Sequence, residues 1–164
     1  MKLSSRKVSL RQPSVFIATL GGVGWIRWAP GTWGSLFGLI VGWQLNGLFG
    51  NIILVVCCCG LFFAGVWACT RYSFLTRTKD SSDCVIDEFI GQLLIVCFIP
   101  QDIIFYVLAF IFFRFFDIFK LWPVGWIDKN VPGGLGIMLD DLAAALQTLV
   151  LLLGASHLFG TFIR

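Results

Sequence analysis

The sequence predicts an all-α, polytopic helical membrane protein: about five hydrophobic helices, with an additional N-terminal interfacial or re-entrant helix. Three observations lead there. Of 164 residues, 58% are hydrophobic and only 13% are charged, too few to cover a soluble domain of this size. Mean hydropathy is +0.89, and several apolar runs approach the roughly 20 residues that a helix needs to cross a bilayer. The charges gather between those runs instead of being spread along them. A basic N-terminal tail over 1–13 and one membrane-embedded domain over 14–164 follow, with no room for a second domain.

The elements are read in order. Lys2, Arg6, Lys7 and Arg11 precede an apolar stretch, as in a secretory signal. Gly21, Gly22 and Gly24 interrupt that stretch and no small-x-small cleavage site precedes Pro30, so it is expected to be retained. Residues 14–28, short and carrying Arg27, suit an interfacial or re-entrant helix better than a span. Ala29-Pro30-Gly31-Thr32-Trp33-Gly34-Ser35 reads as a turn whose Thr32 or Ser35 caps the next helix. Spans are expected at 35–49, 52–70, 87–99, 103–120 and 137–160. A polar loop over 71–86 and a Trp-, Pro- and Gly-rich loop over 121–136 separate the later ones.

This topology brings 11 of the 12 basic and 8 of the 9 acidic residues to one face, leaving Arg164 and Asp102 on the other. The excess of Lys and Arg makes the crowded face cytoplasmic. The net charge of +3 carries no basic run or stripe, so nucleic acid is not expected as a partner. Scattered juxtamembrane cations fit membrane lipids instead. The six cysteines, at 57, 58, 59, 69, 84 and 97, show no CxxC spacing and predict neither a structural zinc site nor a disulfide framework.

The candidate chemistry lies on the crowded face. Asp87-Glu88 opens the third span, Asp117 ends the fourth, and Asp140-Asp141 stands near the start of the fifth. Each alone could be an interfacial charge favoured by a helix dipole. Five carboxylates carried to one face by three helices point more strongly to a site, and hard oxygen ligands suit Mg²⁺. Arg114, Asp117 and Lys120 follow at i, i+3, i+6. They form either a phosphate clamp or an intrahelical ion pair with a snorkelling lysine. Glycine-rich turns at Gly31–Ser35 and Val131–Gly136 could present backbone N–H groups to an anion. There is no CxxxxxR or DxDxT motif, and His157, the only histidine, lies far along the last helix. Cysteine-, aspartyl- and histidine-phosphatase chemistries of those kinds are therefore disfavoured. What remains is carboxylates with a metal ion. A small divalent-cation transporter or channel subunit would also use intramembrane carboxylates, and a lipid-binding scaffold would need only the cations.

The stretches APGTWGS (29–35), VIDEFIG (85–91), FRFFDIFK (113–120) and WIDKNVPGGLGIMLDD (126–141) together resemble the phosphatidylglycerophosphatase A family. The resemblance runs from about residue 20 to 145. It implies Mg²⁺-dependent hydrolysis of phosphatidylglycerophosphate to phosphatidylglycerol and inorganic phosphate, by a multi-pass protein of the bacterial inner membrane with its site facing the cytoplasm. The family pattern falls on Pro30, Gly31, Thr32, Gly34, Ser35, Asp87, Glu88, Gly91, Arg114, Asp117, Lys120, Asp128, Gly133, Gly134, Gly136, Asp140 and Asp141. On that basis Asp87, Glu88, Asp117 and Asp141 are expected to be catalytic, and Asp87, Glu88, Asp140 and Asp141 to hold the metal. Thr32, Gly34, Ser35, Arg114, Lys120, Gly133 and Gly134 are expected to bind the substrate phosphate. Two positions depart from the family, Leu121 where proline is usual and Ala145 where glycine is usual. Both touch backbone shape or packing, not charge.

Overall fold

The structure, a computed structural model, describes residues 8–78 and 81–158. Lys2, Arg6, Lys7, Lys79, Asp80 and Arg164, which enter the expected charge asymmetry, lie outside the described residues. The described elements are all helical: α1 (Pro13–Ala18), a 3₁₀ turn (Leu20–Trp25), α2 (Pro30–Phe49), α3 (Asn51–Thr76), α4 (Ile86–Val96), α5 (Ile103–Phe119), α6 (Val124–Asn130) and α7 (Gly133–Leu158).

At the centre is α4, which packs against α2, α3, α5 and α7. Nine of its eleven residues are buried. Its closest neighbour is α2, which turns Gly31, Gly34, Gly38 and Gly42 toward it. A Cβ on Gly38 would collide with the Phe89 carbonyl oxygen, and one on Gly34 would sit 2.9 Å from Val85. Small residues at this spacing let two backbones touch, the usual device of helices packed in lipid. Asn46 seals the far end by donating its side-chain amide to the Val96 carbonyl at 3.3 Å.

The expectation of five spans is corrected in number. Among the described residues, two helices are long and apolar enough to cross a membrane: α3, 26 residues with mean hydropathy 2.6, and α7, 26 residues with mean hydropathy 1.7. At 1.5 Å per residue each runs about 39 Å. The expected third span, 87–99, is instead the short core helix α4. Its sequence is apolar because protein surrounds it on every side, and hydropathy alone does not separate that case from a lipid-facing span. The 17 residues of α5 and the glycine-rich α2 also fall short. Even so, Ile52, Val56, Phe63 and Phe74 on α3, Ile103 and Ile118 on α5, and Leu146 and Val150 on α7 are all exposed. An apolar exterior of that extent is the surface of a membrane protein.

Boundaries move for local reasons. Pro30 needs no N–H partner and pre-sets helical φ, so α2 opens there, five residues earlier than expected. Its cap is Ala29, with φ 46 and no side-chain hydrogen bond, and neither Thr32 nor Ser35 acts as a cap. The chain continues helically through Thr76, six residues into the expected 71–86 loop, and α6 forms inside the expected 121–136 loop. Residues 14–28 hold α1 and the 3₁₀ turn, both six residues long and too short to span. One side of them packs on the protein, burying Ser14, Val15, Ala18 and Gly24, while Phe16 and Trp25 are exposed. The Ala18 carbonyl accepts from the Val85 amide at 2.9 Å, and Trp25 Nε1 donates to the Tyr72 hydroxyl, which donates to Asp83. All six cysteines are free thiols. Ala145, where the family usually has glycine, is fully buried, so its methyl is accommodated.

The α2–α4 contact can be tested by filling it. Gly38→Ala should cost about 1–3 kcal/mol through overpacking and lower the unfolding midpoint of the detergent-solubilised protein. Gly60→Ala, in α3 with no atom within 4 Å of the added Cβ, should leave the midpoint unchanged or raise it. Equal melting of Gly38→Ala and wild type would contradict the close packing described.

Candidate active site

Four helix ends meet around one cavity. The starts of α4 and α7 contribute Asp87, Glu88, Asp140 and Asp141, and the end of α5 contributes Asp117 and Lys120. Together these side chains line a cavity of about 400 Å³, with Ile118 and Ile137 as apolar wall and Ser82 and Cys84 on the loop side. The start of α2 lies behind Glu88. A Cβ on Gly31 would collide with the Glu88 carboxylate and come within 3.2 Å of Arg114, so glycine there is what lets the two groups sit against α2.

Three carboxylates converge. One oxygen each of Asp87, Glu88 and Asp141 lies within 4.8 Å of the others. Asp87 and Asp141 are buried, and Asp141 Oδ2 and Glu88 Oε2 are enclosed with no hydrogen-bond partner among the described residues. Leaving such oxygens bare is costly. Helix dipoles account for little of this. Asp87 and Glu88 do stand in the first turn of α4, where negative charge is favoured. But Asp140 and Asp141 lie two turns into α7, and Asp117 lies at the C-terminal end of α5, where the dipole opposes it.

Two cations from α5 organise the cluster. Arg114 Nη1 meets Asp117 Oδ2 at 2.6 Å and Glu88 Oε1 at 3.8 Å, and it donates to the Ser35 hydroxyl at 3.3 Å. Ser35 in turn donates to the Gly31 carbonyl at 2.8 Å. Lys120 takes a left-handed backbone (φ 46) that ends α5. Its ammonium then reaches Asp128 of α6 at 2.6 Å and Asp140 of α7 at 2.9 Å. Burial works against the ammonium, but the two carboxylates outweigh it and hold Lys120 above its ordinary range, so it stays cationic. Six carboxylates (Asp87, Glu88, Asp117, Asp128, Asp140, Asp141) thus face two cations. Fully ionised, the site carries an excess of four negative charges. Such a donor set, rich in hard oxygens and short of counter-charge, fits a divalent cation.

The placement of the expected residues is uneven. Asp87, Glu88 and Asp141 come together, while Asp140 lines the same cavity but turns its Oδ2 to Lys120. Arg114 and Asp117 form the intrahelical pair, one of the two arrangements their spacing allowed. Lys120 does not snorkel but bridges two helices. Ser35 is fully buried with its hydroxyl engaged on both sides, and Thr32, Gly34 and Ser35 are part of a continuous helix. Gly134 is a packing residue, since a Cβ there would collide with the Val66 carbonyl and Thr70 of α3, whereas Gly133, with φ 74, has open space around it. The role of Asp128 was not legible from spacing: nothing in the chain between Lys120 and Asp128 announces that α6 folds back. Its only signal is a short apolar segment, Val124–Ile127, bounded by Pro123 and Pro132.

The profile of the family described as phosphatidylglycerophosphatase A matches residues 16–156. The chain is similar to the Haemophilus influenzae protein named phosphatidylglycerophosphatase A, at 35% identity over 153 residues, covering 93% of this chain and 94% of that protein. It is similar to the Escherichia coli protein of the same name at 31% over 163 residues, covering 94% and 90%. It is also similar, at 32% over 162 residues covering 92% of this chain and 100% of the other, to a Bacteroides thetaiotaomicron protein provisionally named phosphatidylinositol-3-phosphatase. No solved structure matches the chain.

The carboxylate triad should reveal itself without any turnover measurement. Millimolar Mg²⁺ or Mn²⁺ is expected to raise the unfolding midpoint of the purified protein, because ligand that binds only the folded state stabilises it by mass action. Asp141→Asn should remove most of that shift. A midpoint indifferent to both cations in wild type would argue that the cluster holds no metal.

Proposed function

This chain belongs to the phosphatidylglycerophosphatase A family, and on that premise we propose that its charged cavity hydrolyses the terminal phosphate of phosphatidylglycerophosphate with Mg²⁺ held by Asp87, Glu88 and Asp141. The observation that carries the reading is the pair of enclosed, unpartnered oxygens on Glu88 and Asp141 beside a cavity that also contains Lys120. Hydrolysis of a lipid phosphate gives phosphatidylglycerol and inorganic phosphate, a step of phosphatidylglycerol synthesis.

Bound there, Mg²⁺ would neutralise phosphate charge and make a coordinated water more acidic. The chain's own residues do the rest. Lys120, cationic throughout, draws the phosphate dianion into a cavity otherwise lined by acids. Asp117, its Oδ2 fixed by Arg114, accepts a proton from the attacking water as the new P–O bond forms. That proton passes to the glycerol oxygen as the ester P–O bond breaks. Arg114 acts here as a positioning residue, since its guanidinium is engaged with Asp117, Glu88 and Ser35. Asp140 and Asp128 hold Lys120 in place. Gly133, with a left-handed backbone at the head of α7, remains a candidate phosphate contact, and Thr32, half-buried in the first turn of α2, remains another. Gly34 and Ser35 support the site by packing.

The arrangement favours an enzyme over a cation transporter. The acids sit together at one end of the bundle. Among the described residues, the other end offers one carboxylate, Asp102, an exposed residue that caps α5 by accepting from the Ile104 amide at 2.8 Å. An inner-membrane location with the cavity toward the cytoplasm is part of the proposal, the orientation supported by the clustering of Lys and Arg between the apolar runs of the sequence.

Phosphate release from phosphatidylglycerophosphate by the purified protein tests the reading. Activity should need Mg²⁺ and vanish in EDTA. Asp141→Asn and Asp117→Asn should each lower kcat/KM by about 10²-fold or more, the order expected for loss of an electrostatic or acid–base group. Arg114→Lys should lower kcat more than it raises KM. Full activity in EDTA would overturn the metal assignment, and a folded protein inert under all conditions would overturn the activity.

A further inference from the structure

A second cavity is lined by α5 and α7, two of the helices that line the first. It is an open groove of about 450 Å³ between the end of α5, the start of α6 and the middle of α7, formed by Phe116, Pro123, Ala143, Leu146, Val150 and Leu151, with Gln147 at its wall. The side chains are apolar except for Gln147, whose Nε2 is spent on the Trp122 carbonyl at 2.9 Å. Leu146 and Val150 are exposed. In water such a groove would be an aggregation hazard. In a bilayer it is a slot open to lipid.

Its position relative to the charged cavity is fixed by helix geometry. Ala143, Gln147 and Val150 stand three, seven and ten residues after Asp140, so Asp140 heads the same stripe of α7. Phe116 lies in the last turn of α5, four residues before its C-cap Lys120. The Lys120–Asp140 ion pair, 2.9 Å, lines the charged cavity, and the groove's Phe116 and Ala143 stand about one helical turn from it along α5 and α7. From Ala143 to Leu151 the groove runs about 12 Å along α7, most of one leaflet of a hydrocarbon core roughly 30 Å thick.

We infer that this groove seats one acyl chain of the lipid phosphomonoester whose head group enters the charged cavity. The inference rests on the function proposed above and adds where the tail lies. A molecule with an anionic head and an apolar tail matches the order of surfaces: cation and carboxylates first, then an uncharged slot running in the same leaflet. Seating the tail would fix the depth of the phosphate relative to Asp117 and Asp141, a positioning effect available to a lipid and not to a soluble phosphate ester.

The test uses the full chain in lipid nanodiscs and a phosphatidic acid carrying a photoactivatable diazirine on one acyl chain, with phosphatidylcholine bearing the same chain as control. The expected result is labelling by phosphatidic acid enriched at least fivefold at residues 143–151 and Phe116 over the exposed face of α3, and no such enrichment with phosphatidylcholine. Equal labelling of α3 and the groove by phosphatidic acid would overturn the inference. So would enrichment in the groove by both lipids, which would mark an unselective lipid contact. A kinetic arm separates this from the proposed activity. Val150→Trp and Leu146→Trp should lower the ratio of kcat/KM for dioleoyl over dihexanoyl phosphatidylglycerophosphate about tenfold, while Phe63→Trp on α3 leaves the ratio at the wild-type value. An unchanged ratio in both groove variants overturns the groove. Absence of hydrolysis in wild type, with selective labelling intact, overturns the activity and leaves the groove supported.

Discussion

Two cations on one helix hold the charged end of this bundle together. Arg114 joins α5 to α4 through Glu88 and to α2 through Ser35. Lys120, one and a half turns on, joins α5 to α6 through Asp128 and to α7 through Asp140. Five helices are thus tied at one end by two side chains. Arginine suits the first position because its planar fork can meet several oxygens at once. Lysine suits the second because a compact ammonium can bridge two carboxylates that approach from different helices. Removing Arg114 would leave the largely enclosed Asp117 and Glu88 carboxylates uncompensated, which costs more than the pair itself contributes.

The same end of the protein is left incomplete by those cations. They engage Asp117, Asp128, Asp140 and one oxygen of Glu88, but leave Asp141 Oδ2 and Glu88 Oε2 enclosed and bare. A fold selected for stability alone would replace such groups with apolar ones of similar volume. Retaining them makes sense if something brings them positive charge, and the glycine at position 31 keeps the space in which Glu88 can lie. The close α2–α4 contact serves the same end. By letting α4 sink to the centre, Gly34 and Gly38 carry Asp87 and Glu88 into the lining of the cavity.

Much of the site was legible because charge is rare in this chain. With 13% charged residues, each carboxylate next to an apolar run stands out, and the alternation of spans sends nearly all of them one way. The helical class and the five longer helices were legible for the same reason. What hydropathy could not tell was which apolar helix meets lipid and which meets protein: α4 reads like a span and is a core helix. Pro30 was read as a breaker, although proline at a first helical position starts a helix. The segment 31–35, read as a turn, is therefore the first turn of α2. The pairing of Lys120 with Asp128 depends on how α6 folds back, a tertiary fact that local sequence does not carry.

The depth of the carboxylates also decides what kind of chemistry the bundle can support. A path for a cation would need oxygen ligands continuing along the axis. Beyond Asp87 and Asp141, the buried side chains of α4, α5 and α7 are mostly apolar, among them Leu93, Ile95, Val96, Ala109, Leu149 and Leu152, and the polar ones, Gln92, Tyr106, Thr148 and Ser156, are not acidic. The Thr148 hydroxyl is turned back to its own helix, donating to the Ala144 carbonyl, and Phe113 lies hard against Gly91 at 2.8 Å from where a Cβ would be. The charged cavity therefore ends on a packed floor that carries no further carboxylate. A cation held above it has no acidic relay beneath, and can act only on what approaches from the same membrane face. That constraint selects a substrate whose reactive group stays at the interface while its bulk remains in the leaflet, which is the geometry of a lipid phosphate.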